Sequence, residues 1–224
     1  MRNILWQNLV HRSTYLFALF LLVVSVIVNF ILQPNMLESG TLNSNFRVFL
    51  PLIFLAVGQA IVILGGGIDI SAGAIVSIVN AILATQVGIN GEMGWAILMM
   101  VAMLFVGVIA GAINGFFIAV LRLQPIITTY ATSFLFAGFA LLVLPNPGGG
   151  IPAGITNFYR DTIPLGIPLA FFVIGLLLLG WYGIRQTRYG RYLYAVGGKP
   201  DAAYETGVPV VTVQFSTYVI SGIM

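Results

Sequence analysis

Seven long runs of apolar residues constrain the fold of this chain more than any single motif does. Each run is close to the ~20 residues that a transmembrane helix needs, and a backbone in lipid must satisfy its own hydrogen bonds. We therefore predict an all-α polytopic membrane protein with about seven transmembrane segments in one domain, residues 1–224. The predicted runs are residues 14–33, 47–64, 72–88, 95–121, 125–144, 164–184 and 208–224. Polar loops are predicted for residues 34–45 and 145–162.

Composition agrees with a membrane protein and excludes several other classes. Hydrophobic residues make up 59% of the chain, charged residues only 7%, and the mean hydropathy is +1.05. Without cysteine, neither a disulfide framework nor a thiolate metal site can form. The net charge of +3 is too small and too scattered to indicate nucleic-acid binding, so the lipid bilayer is the expected surrounding.

The sequence GGGIDISAG at residues 65–73 interrupts the apolar runs. Three consecutive glycines predict a break between two helices, because glycine costs helix stability at about 1 kcal/mol each. Two interpretations of Asp69 and Ser71 are open. Either side chain can cap the following helix, or both can lie on a transport path at a break in the membrane. The break is expected on the cytoplasmic side or dipping into the membrane from that side, unless the flanking helices stop short and leave it nearer mid-depth.

Further polar groups within the apolar runs are candidates for the same path. Their amide and hydroxyl groups could bond an uncharged, hydroxyl-rich solute. The candidates are Asp69, Ser71, Gln59, Asn80, Thr128 and Thr129. Asn114 is interpreted as an interhelical hydrogen-bonding residue in preference to a ligand contact. Gly107, Gly111 and Gly115 recur every fourth residue, which predicts a smooth face for close helix packing.

Basic residues predict the orientation of the chain. With alternating spans and a cytoplasmic N-terminus, seven basic residues lie inside and two outside, in agreement with the positive-inside rule. Arg47 and Arg160 are the external pair. The cytoplasmic group is Arg2, Arg12, Arg122, Arg185, Arg188, Arg191 and Lys199.

The polar segment 185–207 is long for a turn between spans. Pro200 suits a first helical turn and Gly207 a helix end, so a short helix is predicted between them. Its small residues would fit a groove on a partner, with Arg185, Arg188 and Arg191 at the membrane surface; the alternative is a plain connector. The predicted coupling residues are Asp201, Ala202, Ala203, Glu205 and Gly207.

Enzymatic chemistry has no support in the sequence. There is no GxxxxGK[ST] phosphate loop and no His/Asp/Glu cluster at metal-ligand spacing, and His11 is the only histidine. We predict no catalytic residues, no metal and no cofactor bound by this chain.

Three segments together resemble a known family. ILGGGIDISAG at residues 63–73, LRLQP at 121–125 and TRYGRYLYAVGG at 187–198 are similar to the ribose/xylose/arabinose-type permeases of bacterial ABC sugar importers. The resemblance implies an inner-membrane permease paired with a second permease subunit. It also implies a cytoplasmic ABC ATPase that hydrolyses ATP, a periplasmic sugar-binding protein, and coupling through segment 185–207. Lys199 and Pro200 depart from the family pattern.

Two other functions are open. An ion-coupled secondary transporter would use Asp69 as an ion ligand at a broken helix. Family chains are roughly a third longer and carry further C-terminal spans, so a truncated, non-transporting fragment is the other alternative.

Overall fold

The computed structural model describes the backbone of residues 2–89, 91–161 and 168–224, and side chains from residue 16 onward except at positions 18, 39 and 159–161. This part of the chain holds ten α-helices, one π-helical segment and no strand, so the all-α prediction is confirmed. The helices are α1 Arg2–Leu32, α2 Ser39–Leu64, α3 Ala72–Gln86, α4 Met93–Gly115, α5 Pro125–Val143, α6 Ala153–Asp161, α7 Leu169–Gln186, α8 Arg188–Gly198, α9 Pro200–Glu205 and α10 Val210–Ile223.

Four helical segments among the described residues are long and apolar enough to cross a membrane. They are Gly40–Leu64, Met93–Val120, Pro125–Val143 and Leu169–Gln186. Three shorter apolar helical segments accompany them: Leu19–Leu32, Ala72–Gln86 and Val210–Ile223. The seven predicted apolar runs therefore all contain helix, and α3 and α10, with 15 and 14 residues, are shorter than a full span.

Two predicted loops are partly helical. Segment 34–45 was predicted as a polar loop, yet α2 already begins at Ser39. Segment 145–162 was predicted to lack regular helix, yet α6 occupies Ala153–Asp161. Here the Pro152 carbonyl accepts the Ile155 N–H at 3.0 Å, so the proline precedes the helix and does not interrupt it. The start of the predicted sixth run lies in residues 162–167, and the His11 side chain also lies outside the described residues.

Close packing of α4 against α10 forms the centre of the bundle. The two helices are antiparallel, because Gly107 meets Gly222 whereas Gly115 meets Phe215. α2 packs on another side of α10, and α3 packs on α5. The described side chains of α1 are almost all exposed, including Leu16, Phe20 and Leu32, as expected for a lipid-facing helix.

The end of α4 is irregular. It passes into a π-helical segment, Phe116–Val120, and the chain then turns at Arg122 with φ 57°. A positive φ is unusual for a residue with a Cβ. α5 begins directly afterwards with Pro125 in its first turn, as predicted.

The polar helices α8 and α9 pack against one end of the bundle through their apolar faces. A buried cluster joins them to α2 and α10: Ile61, Leu193, Val196, Ala203, Val208 and Val213. We call this end of the molecule the α8–α9 end. It also carries the loop 121–124, the C-terminal end of α2 and the N-terminal end of α10.

Candidate functional site: the helix break and the α8–α9 surface

The helix break begins where α2 stops at Leu64. The turn is closed by hydrogen bonds from the Gly65 N–H to the Ile61 carbonyl (3.0 Å) and from the Gly67 N–H to the Val62 carbonyl (2.9 Å). Gly66 has φ +83°, a conformation that side chains rarely adopt. After the turn, residues 67–71 continue as non-helical chain to the start of α3.

Neighbouring α10 explains why glycine is needed on both sides of that turn. A Cβ added at Gly65 would lie 2.7 Å from Cγ2 of Thr217, and one added at Gly67 would overlap the Tyr218 hydroxyl. Both contacts are closer than real Cβ atoms allow. Thus the glycines serve the turn at Gly66 and the close approach of α10 at Gly65 and Gly67.

The break turns at the α8–α9 end, where Gly66 is exposed, and then enters the bundle, where Asp69 is buried. Thr217, which faces Gly65, is seven residues after the first residue of α10, or about 10 Å along the helix axis. Ser221, which bonds Asp69, is one further turn along. The chain therefore turns at Gly66 and runs back into the bundle, so that α3 starts at depth. The depth of the break in the membrane stays a prediction.

Asp69 is buried and accepts three hydrogen bonds. Its Oδ1 accepts from the Ser71 backbone N–H (2.9 Å) and from the Ser71 hydroxyl (2.7 Å), and its Oδ2 accepts from the Ser221 hydroxyl (3.3 Å). Asp69 is 5% exposed, Ser71 0% and Ser221 6%. Oδ1 thus closes the break on itself, and Oδ2 joins the break to α10.

The network continues from Ser71 into two further helices. The Asn114 amide of α4 donates to the Ser71 hydroxyl at 2.7 Å, and its carbonyl oxygen accepts from the Thr132 hydroxyl of α5 at 2.6 Å. One turn earlier on α5, the Thr129 hydroxyl accepts from the Ile70 N–H at 3.1 Å and lies 3.3 Å from the Ile68 carbonyl, to which it can donate. We call Asp69, Ser71, Asn114, Thr129, Thr132 and Ser221 the polar junction.

Chemically, the polar junction is suited to holding helices together. Its members are buried, and each makes at least one hydrogen bond to another segment or to its own turn. Ser71 is the residue before α3, and its side chain makes no cap hydrogen bond, so of the two predicted capping side chains Ser71 does not cap α3. The Ser71 hydroxyl is committed to Asp69 and Asn114, and Asp69 accepts from Ser71 itself, one residue before α3 begins.

The other predicted path residues do not join the polar junction. Thr128 is buried, but its hydroxyl donates to the Gln124 carbonyl one turn earlier. Gln59 is half-buried on α2. Asn80 is exposed on α3, where it lines a groove of about 440 Å³ with Ser77 and residues of α5. Of the six candidates, Asp69, Ser71 and Thr129 meet at the break, whereas Thr128, Gln59 and the exposed Asn80 lie apart from it.

All three glycines with fourfold spacing face α10. A Cβ at Gly107 would overlap the Gly222 carbonyl, and one at Gly111 would overlap the Tyr218 carbonyl. At Gly115 the added Cβ would lie 2.9 Å from the Phe215 carbonyl. Since backbone atoms cannot move aside as a flexible side chain can, these glycines set the distance between α4 and α10.

At the α8–α9 end, the predicted short helix is present as α9, Pro200–Glu205. Asp201, Ala202 and Glu205 are exposed, and Tyr204 is 74% exposed. Ala203 requires a correction, because its side chain is only 4% exposed and packs in the buried cluster with α8. It therefore fixes α9 to this chain and cannot present a surface to a partner.

Gly207 ends the turn after α9. It has φ +82°, its N–H donates to the Tyr204 carbonyl (2.9 Å), and the following Val208 N–H donates to the Ala203 carbonyl (3.0 Å). These two hydrogen bonds satisfy carbonyl groups at the end of α9, as is common in helices that end with a glycine. Before α9, Lys199 is extended, with φ −148° and ψ 94°.

The sequence interpretation missed α8, which supports α9. The exposed Arg185, Arg188 and Arg191 lie at or near its start. The Tyr189 hydroxyl pairs with the Ser216 hydroxyl of α10 at 2.8 Å. Burial raises the pKa of Tyr189 above its ordinary value, although the Ser216 hydrogen bond lowers it, so the phenol is neutral at physiological pH.

α8 also reaches the helix break directly. A Cβ at Gly197 would overlap the Leu64 carbonyl, and Gly66 approaches Gly197 closely. By contrast, the adjacent Gly198 has open space around it. Gly197, the first of the two glycines that end the TRYGRYLYAVGG motif, thus packs α8 on the last turn of α2. No spacing pattern in the sequence indicated this contact.

Comparison with known proteins identifies the family. A family model described as branched-chain amino acid transport system / permease component matches residues 42–224. The ribose import permease protein RbsC of Escherichia coli K12 is 30% identical over 215 residues, which cover 92% of this chain and 65% of the relative. The autoinducer 2 import system permease protein LsrD of the same organism is 30% identical over 211 residues, covering 91% and 63%. No solved structure matches the chain at a significant level.

The alignments therefore span a little under two thirds of the length of these relatives. They confirm the predicted resemblance to sugar-importer permeases, and the matched region contains the helix break, α8 and α9. With its apolar helices the chain is a multi-pass protein of the inner membrane. Since the family model matches more than half of its residues, the chain belongs to the branched-chain amino acid transport system / permease component family.

Proposed function

We propose that this chain is the transmembrane permease subunit of an ATP-driven importer. The solute is a monosaccharide or similar polyhydroxylated compound that a periplasmic binding protein delivers. The observation that carries the proposal is α9, a short helix outside the apolar bundle with the exposed residues Asp201, Ala202, Tyr204 and Glu205. Ala203 packs against α8 and the bundle, so a displacement of α9 by a partner would be passed on to the bundle.

A cytoplasmic ABC ATPase is the proposed partner at the α8–α9 end. It would bind and hydrolyse ATP, because this chain carries no phosphate-loop motif. The same end, and with it the N-terminus, is then cytoplasmic. Exposed Arg185, Arg188 and Arg191 support that orientation, since basic residues favour the cytoplasmic side. A second permease subunit, identical or different, completes the transporter.

Docking on the ATPase is testable with one bulky side chain. Replacing the exposed Ala202 by Trp should block co-purification with the ATPase and abolish ATP-dependent uptake. Thr156 provides a control of similar bulk. It is exposed on α6, in a segment that we assign to the external side of the membrane, so Thr156→Trp should leave docking intact. Normal coupling of Ala202→Trp would show that α9 does not face the ATPase.

The solute class is supported by the names of the relatives, which import ribose and autoinducer 2. Asn80 is the residue that we assign to the solute path. An exposed amide within an apolar helix is costly to leave in lipid, so it faces water or the second subunit.

Accessibility of Asn80 can be measured directly, because the chain contains no cysteine. Asn80→Cys should react with a membrane-impermeant thiol reagent and be protected by the transported sugar. Leu176→Cys, at a position 73% exposed on the apolar α7, should stay unreactive in lipid. Equal reactivity of the two positions would remove Asn80 from the path.

Energy source separates this function from an ion-coupled secondary transporter. The uptake of D-ribose, D-xylose and L-arabinose by the full transporter should stop when ATP is depleted and persist when proton and sodium gradients are dissipated. The opposite pattern would favour the secondary transporter. Asp69 gives that alternative little support, since serine donors already occupy both of its oxygens.

A further inference from the structure

A cavity of about 560 Å³ lies at the α8–α9 end between four parts of the chain, one of which is the first turn of α10. Arg122 and Leu123 line it from the loop after α4, Asp201 and Tyr204 line it from α9, and Gly66 lines it from the helix break. It therefore touches both the proposed coupling helix and the turn that leads to Asp69.

Two charged groups of opposite sign line this cavity without meeting. Arg122 and Asp201 are both exposed, and neither forms an ion pair within the described part of the chain. A guanidinium is a long group that pairs well with carboxylates through its fixed fork of donors. Opposite charges across a cavity of this size attract, and the attraction grows as water leaves the space between them.

The backbone next to the cavity has two unusual conformations, one before Arg122 and one at Arg122 itself. A π-helical segment, Phe116–Val120, precedes it, and Arg122 itself has φ 57°. Both features store conformational energy and occur preferentially at functional sites. Position 122 holds an arginine, although a glycine would adopt this positive φ without strain.

α9 also has a candidate hinge residue at each of its ends. Lys199 is extended before it, and Gly207, with φ +82°, follows it. These are the kinds of positions that absorb backbone rotation in hinged movements. A push on the exposed face of α9 can thus change the distance between Asp201 and the loop at Arg122.

We propose that Arg122 is a coupling residue, which forms an ion pair with Asp201 when the ATPase presses α9 into this cavity. Closure shortens the space next to Gly66 and so transmits the position of α9 to the helix break. The inference rests on the proposed function, because it takes an ATPase at α9 as the source of the movement.

Chemical cross-linking can detect this closure in the native complex. The variant carrying Arg122→Cys and Asp201→Cys is placed in inside-out membrane vesicles and treated with a short bis-methanethiosulfonate reagent. We expect the cross-linking yield to change by at least about fivefold between nucleotide-free vesicles and vesicles trapped with ATP and vanadate. Glu205→Cys on the same helix, which does not line the cavity, is paired with Arg122→Cys as the control and should give a low, constant yield.

Charge reversal provides the second test. Arg122→Glu and Asp201→Arg should each lower ATP-dependent uptake by about tenfold, and the double reversal should restore most of it. Additive losses in the double variant, or a cross-link whose yield does not respond to nucleotide, would overturn the proposal. Loss with Arg122→Glu alone and no effect of Asp201→Arg would instead assign Arg122 to direct contact with the ATPase.

Failure of this inference is distinguishable from failure of the proposed function. The uptake test uses right-side-out vesicles that contain ATP and receive the binding protein on the outside. If vesicles with the unmodified transporter take up sugar only when ATP is present, the proposed function stands whatever the cysteine pair shows. If they take up none of the tested sugars with ATP, the proposed function fails, and the nucleotide response of the cross-link still decides whether α9 closes on Arg122.

Discussion

Two groups of glycines in this molecule solve different problems. Gly107, Gly111 and Gly115 lie within regular helix and let the backbones of α4 and α10 touch. Gly65 and Gly67 flank a turn and let α10 approach non-helical chain, while Gly66 supplies the positive φ of the turn itself. Glycine thus allows close helix packing at one place and a sharp turn of the chain at the other. A substitution is therefore limited by steric contact in the first region and by backbone conformation at the turn itself.

The largest effect is expected on the α4–α10 interface. Gly111→Leu should prevent the two helices from packing, because its Cβ meets the Tyr218 carbonyl and lies 2.9 Å from the Val219 Cα. We expect a loss of at least about 3 kcal/mol of folding stability, measured as thermal unfolding in detergent. Gly175→Leu on α7, where nothing lies within 4 Å, is the matched control. Equal stability of the two variants would contradict the assigned interface.

Asp69→Asn tests the polar junction at the break. The amide nitrogen cannot accept a hydrogen bond, so Ser71 or Ser221 loses its acceptor at a cost of about 2 kcal/mol. Uptake per folded molecule should remain close to the unmodified level, because we assign Asp69 to packing. Asp201→Asn, at an exposed position, is the control for stability alone, because Asp201 is assigned to coupling and its uptake is expected to change. Normal stability combined with lost uptake would return Asp69 to the solute path.

Gly197→Ala tests the contact between α8 and the break. Its methyl group would overlap the Leu64 carbonyl, so α8 must shift away from α2, and we expect a loss of about 1–2 kcal/mol. The neighbouring Gly198→Ala has open space and should be neutral or slightly stabilising. Thermal unfolding of the two variants side by side reads out this difference, and a reversed order would place α8 elsewhere.

The smallest effect is expected at Gly66. Its Cβ would find Gly197 Cα at an ordinary 3.5 Å, so the cost of Gly66→Ala is mainly that of a positive φ, about 1 kcal/mol. Gly66→Asn should cost less, since asparagine tolerates this conformation better than alanine does. If Gly66→Ala were worse than Gly197→Ala, crowding and not backbone conformation would govern the turn.

Sequence reasoning located the helices and the break because both have local causes. Apolar runs and consecutive glycines act on neighbouring residues, and the spacing of Gly107, Gly111 and Gly115 follows one helix. The partners in the polar junction are set by tertiary packing. Ser221 is 152 positions from Asp69, and no local pattern relates the two residues. For the same reason the burial of Ala203 was missed, because a short helix with two adjacent alanines does not reveal which one faces inward.

The inward start of α3 has an electrical consequence for Asp69. No basic side chain bonds this buried carboxylate among the described residues, although an unpaired buried charge is expensive. The peptide dipoles of α3 add up to a partial positive charge at its first turn, of about half an elementary charge. Ser71, the residue before α3, donates its N–H to Asp69, so that charge acts within the bundle instead of in water. A helix of 15 residues can thus offset part of a buried negative charge that no basic side chain in the described part of the chain contacts.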